Sequence, residues 1–306
     1  MYKYIFGPVF SRRFGSSLGI DLSPEKKSCN FDCLYCELEK SRTTDKIENE
    51  ANPEEIIEEV KDFLLKNEYP DVITITANGE PTLYSKLEKL IDELNKIKGK
   101  SKLLILTNGS TIFNLKIQNI LRKLDIVKVS LDAIDNKIFK KVDRPLNISV
   151  NQIIEGLKSF RKIYNGLLVI EILVVKNIND NQDFKKFAQI LKEINPDRID
   201  LGTVDRPPAY KVYPVSNKKL LEIAKYFKDL NINVVYRKEE NLQKFDYSKE
   251  EIINTLKRRP FTISDIENLF SEKSKKNFNE LLSKNIVKSK TIGNVNFFYV
   301  EDNVRA

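Results

Sequence analysis

The 306 residues are 41 % hydrophobic and 31 % charged, with 52 Lys and Arg against 44 Asp and Glu, a net charge of +8. At roughly 100–200 residues per domain, this length predicts one large domain or two unequal ones, able to fold without disulfide staples. A mean hydropathy of −0.39 and the lack of any apolar run near the ~20 residues of a membrane span exclude an integral membrane protein.

The N-terminus, Met1 to Pro8, has no apolar core or small-residue cleavage site, so a cytoplasmic location is expected. The chain has no His and no Trp. Ser–His and Cys–His nucleophiles and His-ligated metals are therefore excluded. Proton transfer falls to Asp, Glu, Lys, Tyr or Cys.

In chain order, an apolar run at Leu18–Leu22 precedes a loop with all three cysteines, Cys29, Cys33 and Cys36. From residue 50 to about 235, β-branched runs alternate with helical patterns. The runs are Val72–Thr76, Leu103–Leu106, Ile126–Leu131, Leu167–Val175, Arg198–Val204 and Ile232–Val235. The helical patterns cover 53–66, 84–98, 112–123, 151–164, 181–194 and 216–229. Asn52-Pro53-Glu54-Glu55 reads as a helix start: a capping Asn, Pro in the first turn, then acids.

Strands alternating with helices imply parallel pairing and right-handed crossovers. Six such units fit a barrel, complete or partial, or an open doubly wound sheet. In either, ligands sit at the C-terminal ends of the strands. The loops there are Cys29–Cys36, Ala77–Thr82, Thr107–Ser110, Asp132-Ala133, Lys176–Asp180 and Asp205–Pro208.

From residue 246 the rhythm changes. Helices are expected over 249–258, 264–271 and 273–283, the second capped by Thr262 or Ser264. A hairpin follows, Ile286–Lys290 and Val295–Val300 around a turn at Gly293-Asn294. This resembles a winged helix-turn-helix. The expected division is 1–245 and 246–306.

Cys29-x-x-x-Cys33-x-x-Cys36 lets three thiolates converge from one tight loop. A closed zinc site wants four N or S ligands. This chain has no fourth Cys and no His, so zinc would need an unusual carboxylate or another subunit. An iron–sulfur cubane held by three thiolates keeps one iron open for a small molecule. The shortage that counts against zinc thus fits a catalytic cluster.

This spacing, with Tyr35 before the last Cys, resembles the signature of the radical S-adenosylmethionine (radical SAM) superfamily. Asn78-Gly79-Glu80 resembles its Gly-Gly-Glu element, with Asn for the first Gly, and Ser130-Leu-Asp132 its ribose-holding segment. Phe6–Gly15 and Asp205–Pro208 resemble the branch related to the wyosine-type synthases of tRNA. The resemblance implies an α/β fold: a partial (β/α)6 barrel with the small C-terminal winged-helix-like domain. It implies a 4Fe–4S cluster on Cys29, Cys33 and Cys36, and S-adenosylmethionine (SAM) beside Tyr35, Asn78, Gly79, Glu80, Asn108, Ser130 and Asp132. One electron from a flavodoxin- or ferredoxin-like reductant would cleave SAM to a 5′-deoxyadenosyl radical that abstracts hydrogen. The wyosine-type synthases hold a second cluster on additional Cys. This chain has none to spare, so the radical chemistry carries over and the wyosine reaction does not.

A tRNA or other RNA base is the expected substrate, with a protein or peptide as the alternative. From another class, an iron–sulfur redox sensor binding DNA through the winged helix needs no SAM pocket. Lys273, Lys275 and Lys276 would then face phosphate, yet residues 246–306 carry a net charge of only +2. Arg12 and Arg13 read as anchors for an anionic substrate or as a surface pair. Arg144 and Arg206 suit carboxylate or phosphate binding, or a loop-fixing salt bridge. Lys176 forms a Schiff base only if desolvated. Glu171 in its apolar strand either points inward toward the cofactor or out to solvent.

Overall fold

The computed structural model describes residues 2–11, 13–235, 244–258, 260–292 and 295–301. Arg12 and the turn at Gly293-Asn294 lie outside them. The chain opens with a hairpin, β1 (Ile5–Ser11) against β2 (Gly15–Asp21). Six more strands follow, all parallel to β2 and to one another: β3 (Val72–Thr76), β4 (Lys102–Thr107), β5 (Ile126–Ser130), β6 (Leu167–Val174), β7 (Arg198–Thr203) and β8 (Ile232–Val234). Their crossovers carry α1 (Pro53–Lys66), α2 (Leu87–Ile97), α3 (Leu115–Leu121), α4 (Asn136–Val142), α5 (Val150–Arg161), α6 (Phe184–Ile194) and α7 (Asn217–Ala224).

The strands lie in the order β1 to β8 without reversal. A doubly wound sheet reverses at a switch point, so that alternative is excluded. The sheet curls. Arg13, in the β1–β2 turn, reaches Glu171 of β6 at 2.8 Å. In a flat sheet β2 and β6 would stand about 19 Å apart. The sheet is therefore a partial barrel, and the six-unit expectation is corrected to seven parallel strands, because the run at Leu18–Leu22 marks β2. The antiparallel β1 has no expected counterpart. Gly7-Pro8 breaks its alternation, and its register slips between Phe6 and Val9. The short α4 is also new, capped by Asp135, which accepts from the backbone N–H of Lys137 and Ile138.

Alternation along each strand sorts the side chains. Ile73, Ile75, Leu103, Ile105, Val127, Val129, Leu168 and Ile170 join the helices in the main core. Each fully buried side chain of this kind is worth about 1.5–3 kcal/mol over exposure. The other face lines the barrel. Val72, Leu104, Ile126 and Val169, with Phe14 and Leu167, form a dry floor. Above it the lining turns polar.

The remaining elements are α8 (Lys249–Arg258), β9 (Phe261–Thr262), α9 (Ile263–Leu269), α10 (Glu272–Ser283), β10 (Lys288–Ile292) and β11 (Val295–Tyr299). The strands form a sheet in the order β10-β11-β9. The helix expected from residue 264 starts one residue earlier, with Thr262 and Asp265 closing a capping box. The core holds Ile252, Leu256, Phe261, Phe270, Phe278 and Phe298, and Val9 of β1 enters it. Among the described residues, no helix is long and apolar enough to cross a membrane.

Candidate active site

The cysteine loop leaves the C-terminal end of β2 and is clamped from three sides. Ser28 pairs with Gly79 as an isolated parallel bridge. Ser28 N donates to Asn78 O at 2.8 Å and Glu80 N to Ser28 O at 2.9 Å. Leu34 N donates to Val142 O at 2.9 Å, and Ala209 N to Cys36 O at 2.7 Å. Backbone from the β3 loop, α4 and the β7 loop thus pairs with one segment that lies between β2 and α1 and forms no helix or named strand.

Donors point at two of the sulfurs. Phe31 N lies 3.4 Å and Asn108 Nδ2 3.7 Å from Cys29 Sγ. Lys27 Nζ lies 3.6 Å from Cys36 Sγ. Burial, with the Glu80 carboxylate nearby, pushes the Cys29 thiol up to about 12. Burial and then Asp143 raise Cys33; burial raises Cys36, and Lys27 partly offsets it. Bare thiolates are therefore disfavoured here, and binding to cationic iron is what would release their protons. Among the described residues, no three Cys, Asp or Glu side chains converge on one point that a single metal ion would fill. A cubane seats each thiolate on a different iron, so this donor set fits a cluster better than one zinc ion.

Glu80 is buried and fully engaged. Its Oε1 accepts from Thr82 N at 3.0 Å, Thr82 Oγ1 at 2.6 Å and Thr107 Oγ1 at 2.6 Å. Its Oε2 accepts from Asn108 N at 2.7 Å. Burial raises its pKa, and these four donors oppose the rise. Asn108 ties the assembly together, since its Nδ2 also donates to Asn30 Oδ1 at 2.9 Å. The backbone of Asn78 is fixed by Asp21, whose Oδ1 accepts from Asn78 N at 2.8 Å.

Tyr35 and Asp132, far apart in sequence, meet beside Cys33. The Tyr35 hydroxyl donates to Asp132 Oδ2 and lies 3.4 Å from Asp143 Oδ1. Asp132 Oδ1 accepts from Leu173 N at 2.6 Å. Burial raises Asp132 to about 7; burial and the like-charged Asp132 beside it also raise Asp143 well above its usual value. Both Asp132 oxygens thus face protein donors. Ser130 sits at the end of β5, opposite Glu171 of β6. Asp143, Lys27, Asn30 and Asp21 carry no sequence signal of their own; they join the site only through folding.

The remaining candidates resolve differently. Glu171 points inward but meets Lys128 Nζ at 2.7 Å and Arg13 Nη2 at 2.8 Å. Burial pushes Glu171 up, yet those cations outweigh it and hold it at about 2. Arg13, expected at the surface or on a substrate, lies within the barrel. Arg144 Nη1 pairs with Asp32 at 3.1 Å and Arg206 Nη1 with Glu37 at 2.9 Å, so both fix loops. Lys176 is exposed, which removes the desolvation a Schiff base requires. Lys273 and Lys275 pair with Asp246 at 3.7 Å and Glu272 at 2.9 Å.

A partial α/β barrel with three cysteines in the loop after its first parallel strand defines a class of iron–sulfur enzymes. The chain belongs to the radical SAM superfamily, whose family profile matches residues 27–191. Enzymes of this superfamily use a 4Fe–4S cluster and SAM and draw an electron from an external reductant. The chain is 40 % identical over 297 residues to a UPF0026 protein of Helicobacter pylori (strain J99), covering 96 % of each. It is 35 % identical over 233 residues to a UPF0026 protein of Methanocaldococcus jannaschii, covering 74 % of this chain and 71 % of the relative. Its fold is similar to that of TYW1 with a lysine-pyruvate adduct bound: TM-score 0.54, 19 % identity, 70 % of this chain and 74 % of that one. It is also similar to Streptococcus suis SuiB bound to S-adenosylmethionine: TM-score 0.55, 19 % identity, 71 % of this chain and 50 % of that one.

Proposed function

We propose that Cys29, Cys33 and Cys36 hold the cluster and that the enzyme acts on an RNA base, tRNA first. The observation that supports this most is the joining of two loops: the cysteine loop bridged through Ser28 to Asn78-Gly79-Glu80. When bound, the reduced cluster would supply the electron for splitting SAM into methionine and a 5′-deoxyadenosyl radical able to take a hydrogen atom from the substrate. The protein's work is placement and exclusion of water. Asn78, Gly79 and Glu80 shape the edge that receives the methionyl amino group. Tyr35 and Asp132, which meet beside Cys33, would brace the cluster there, and Asn108 beside Cys29 and Ser130 at the end of β5 would line the SAM space. Val72, Leu104, Ile126 and Val169 close the barrel below and keep water from a radical formed above.

The RNA reading rests on the net charge of +8 and the resemblance of Phe6–Gly15 and Asp205–Pro208 to the wyosine-type branch. Residues 246–306, read as a winged-helix-like domain, would present or orient the substrate. The ion pairs of Lys273 and Lys275 disfavour that segment as a DNA-reading element, and with it the redox-sensor alternative.

The test is anaerobic reconstitution with iron and sulfide, then SAM and dithionite, with release of 5′-deoxyadenosine measured and Cys33→Ala as control. Unmodified tRNA should raise deoxyadenosine release and gain a mass change absent with Cys33→Ala. Stimulation by peptide but not by tRNA overturns the RNA assignment. A cluster that forms without binding or cleaving SAM overturns the proposed enzymatic site.

A further inference from the structure

Lys26 and Lys27 are adjacent but oppositely disposed. Lys26 lies at the surface and pairs with Glu48 at 2.9 Å. Lys27 is buried, with 7 % of its surface exposed. Its ammonium donates to Glu39 O at 2.6 Å and lies 3.6 Å from Cys36 Sγ. Among the described residues, no carboxylate lies within salt-bridge distance of it. Burying an ammonium without a counter-charge is costly. The Ser28–Gly79 bridge, which begins at the next residue, fixes the backbone so that the side chain turns inward.

We infer that Lys27 is a positioning residue that makes the cluster easier to reduce. The inference rests on the reading that Cys29, Cys33 and Cys36 hold that cluster. Three thiolates around a 2+ core leave one net negative charge, and the electron from the reductant makes it two. A fixed cation beside one thiolate stabilises the more negative state more. Its hydrogen bond also withdraws electron density from the sulfur. The donors on Cys29, Phe31 N and Asn108 Nδ2, are neutral, so Lys27 is the charged contributor among them. The exchange is one electron in from the reductant, with no proton transferred by Lys27.

The experiment uses the full chain, reconstituted anaerobically, without SAM. Iron and sulfide per chain are measured first, then the midpoint potential by titration followed by electron paramagnetic resonance. Lys27→Met keeps length and removes charge; Lys27→Arg keeps charge. With iron content equal to the parent, Lys27→Met should need a potential lower by about 59 mV, a tenfold change for a one-electron couple. Lys27→Arg should stay near the parent. A Lys27→Met protein with a full cluster and an unmoved midpoint overturns the inference while leaving the cysteine assignment intact. Loss of the cluster from both Lys27→Met and Lys27→Gln, with normal thermal unfolding, makes Lys27 a retention residue and also overturns it. A parent protein that takes up no iron overturns the cysteine assignment itself.

Discussion

Gly79 and Ser28 approach so closely that a Cβ on Gly79 would stand 1.8 Å from the Ser28 carbonyl oxygen. Gly79 also has φ +142°, a region that L side chains rarely adopt. The bridge between the two residues joins the loop of the cysteines to the loop of Glu80.

Gly79→Ala should therefore part these loops. The expected result is less than about half the parent's iron per chain after reconstitution, with a lower thermal midpoint, because the new methyl has only backbone to displace. Iron assay and thermal unfolding check this. Full iron uptake with an unchanged midpoint would refute it.

Glu171 should show its worth through pH. Its carboxyl, normally near 4.5, is held at about 2 by Arg13 and Lys128 against the effect of burial. A depressed acid contributes stability that is fully present above its unfolded value and lost as pH falls from about 4.5 toward 2. Glu171→Gln leaves Lys128 and the partly buried Arg13 with Asp200 alone, at 3.8 and 3.5 Å, and should cost about 1–3 kcal/mol at pH 7. Urea unfolding at pH 7 and pH 3 should show the gap shrinking at the lower pH. An equal gap at both would remove the ionic explanation.

Tyr35→Phe deletes the hydroxyl that Asp132 accepts from and leaves two buried carboxyls with fewer donors. A loss of about 1–3 kcal/mol is expected in the cluster-free protein. Tyr35→Phe unfolding at the parent's urea midpoint would show that the bond is dispensable.

Arg258 links the C-terminal segment to the end of β2 and, through it, to the Asn78 loop. Its Nε lies 3.4 Å from Asp21 Oδ2, and Asp21 in turn holds the backbone of Asn78 and Ser23. Arg258→Met removes that ion pair and the hydrogen bond from Nη2 to Lys3 O at 2.9 Å, and should cost about 2 kcal/mol. It should also speed release of iron to a chelator, with Arg258→Lys intermediate. Release at the parent's rate would show that the two parts are not coupled by this pair.

The alternation of strands and helices is legible in the chain because each element is written within a few residues. Asn52, Pro53 and the acids after them mark the start of α1, and apolar spacing carries it to Lys66. The cysteine spacing is just as local, and it carries the resemblance to the radical SAM superfamily that the family profile bears out. β1 is not legible, because Gly7-Pro8 interrupts its pattern. Strand β2 is legible only as an apolar run.

What the tertiary structure alone decided is who meets whom. Sequence shows Glu171 as an acid in an apolar strand, but only the curl of the sheet brings Arg13 across the barrel to neutralise it. Sequence offers Arg144 and Arg206 equally to a substrate or to a loop, and folding pairs them with Asp32 and Glu37. Nothing local marks Asp143 as the neighbour of Asp132 and Tyr35, or Lys27 rather than Lys26 as the buried cation. Secondary structure and motif spacing are set by interactions over a few residues. Charge partners depend on sheet curvature summed over many strands, and no short stretch of sequence encodes that sum.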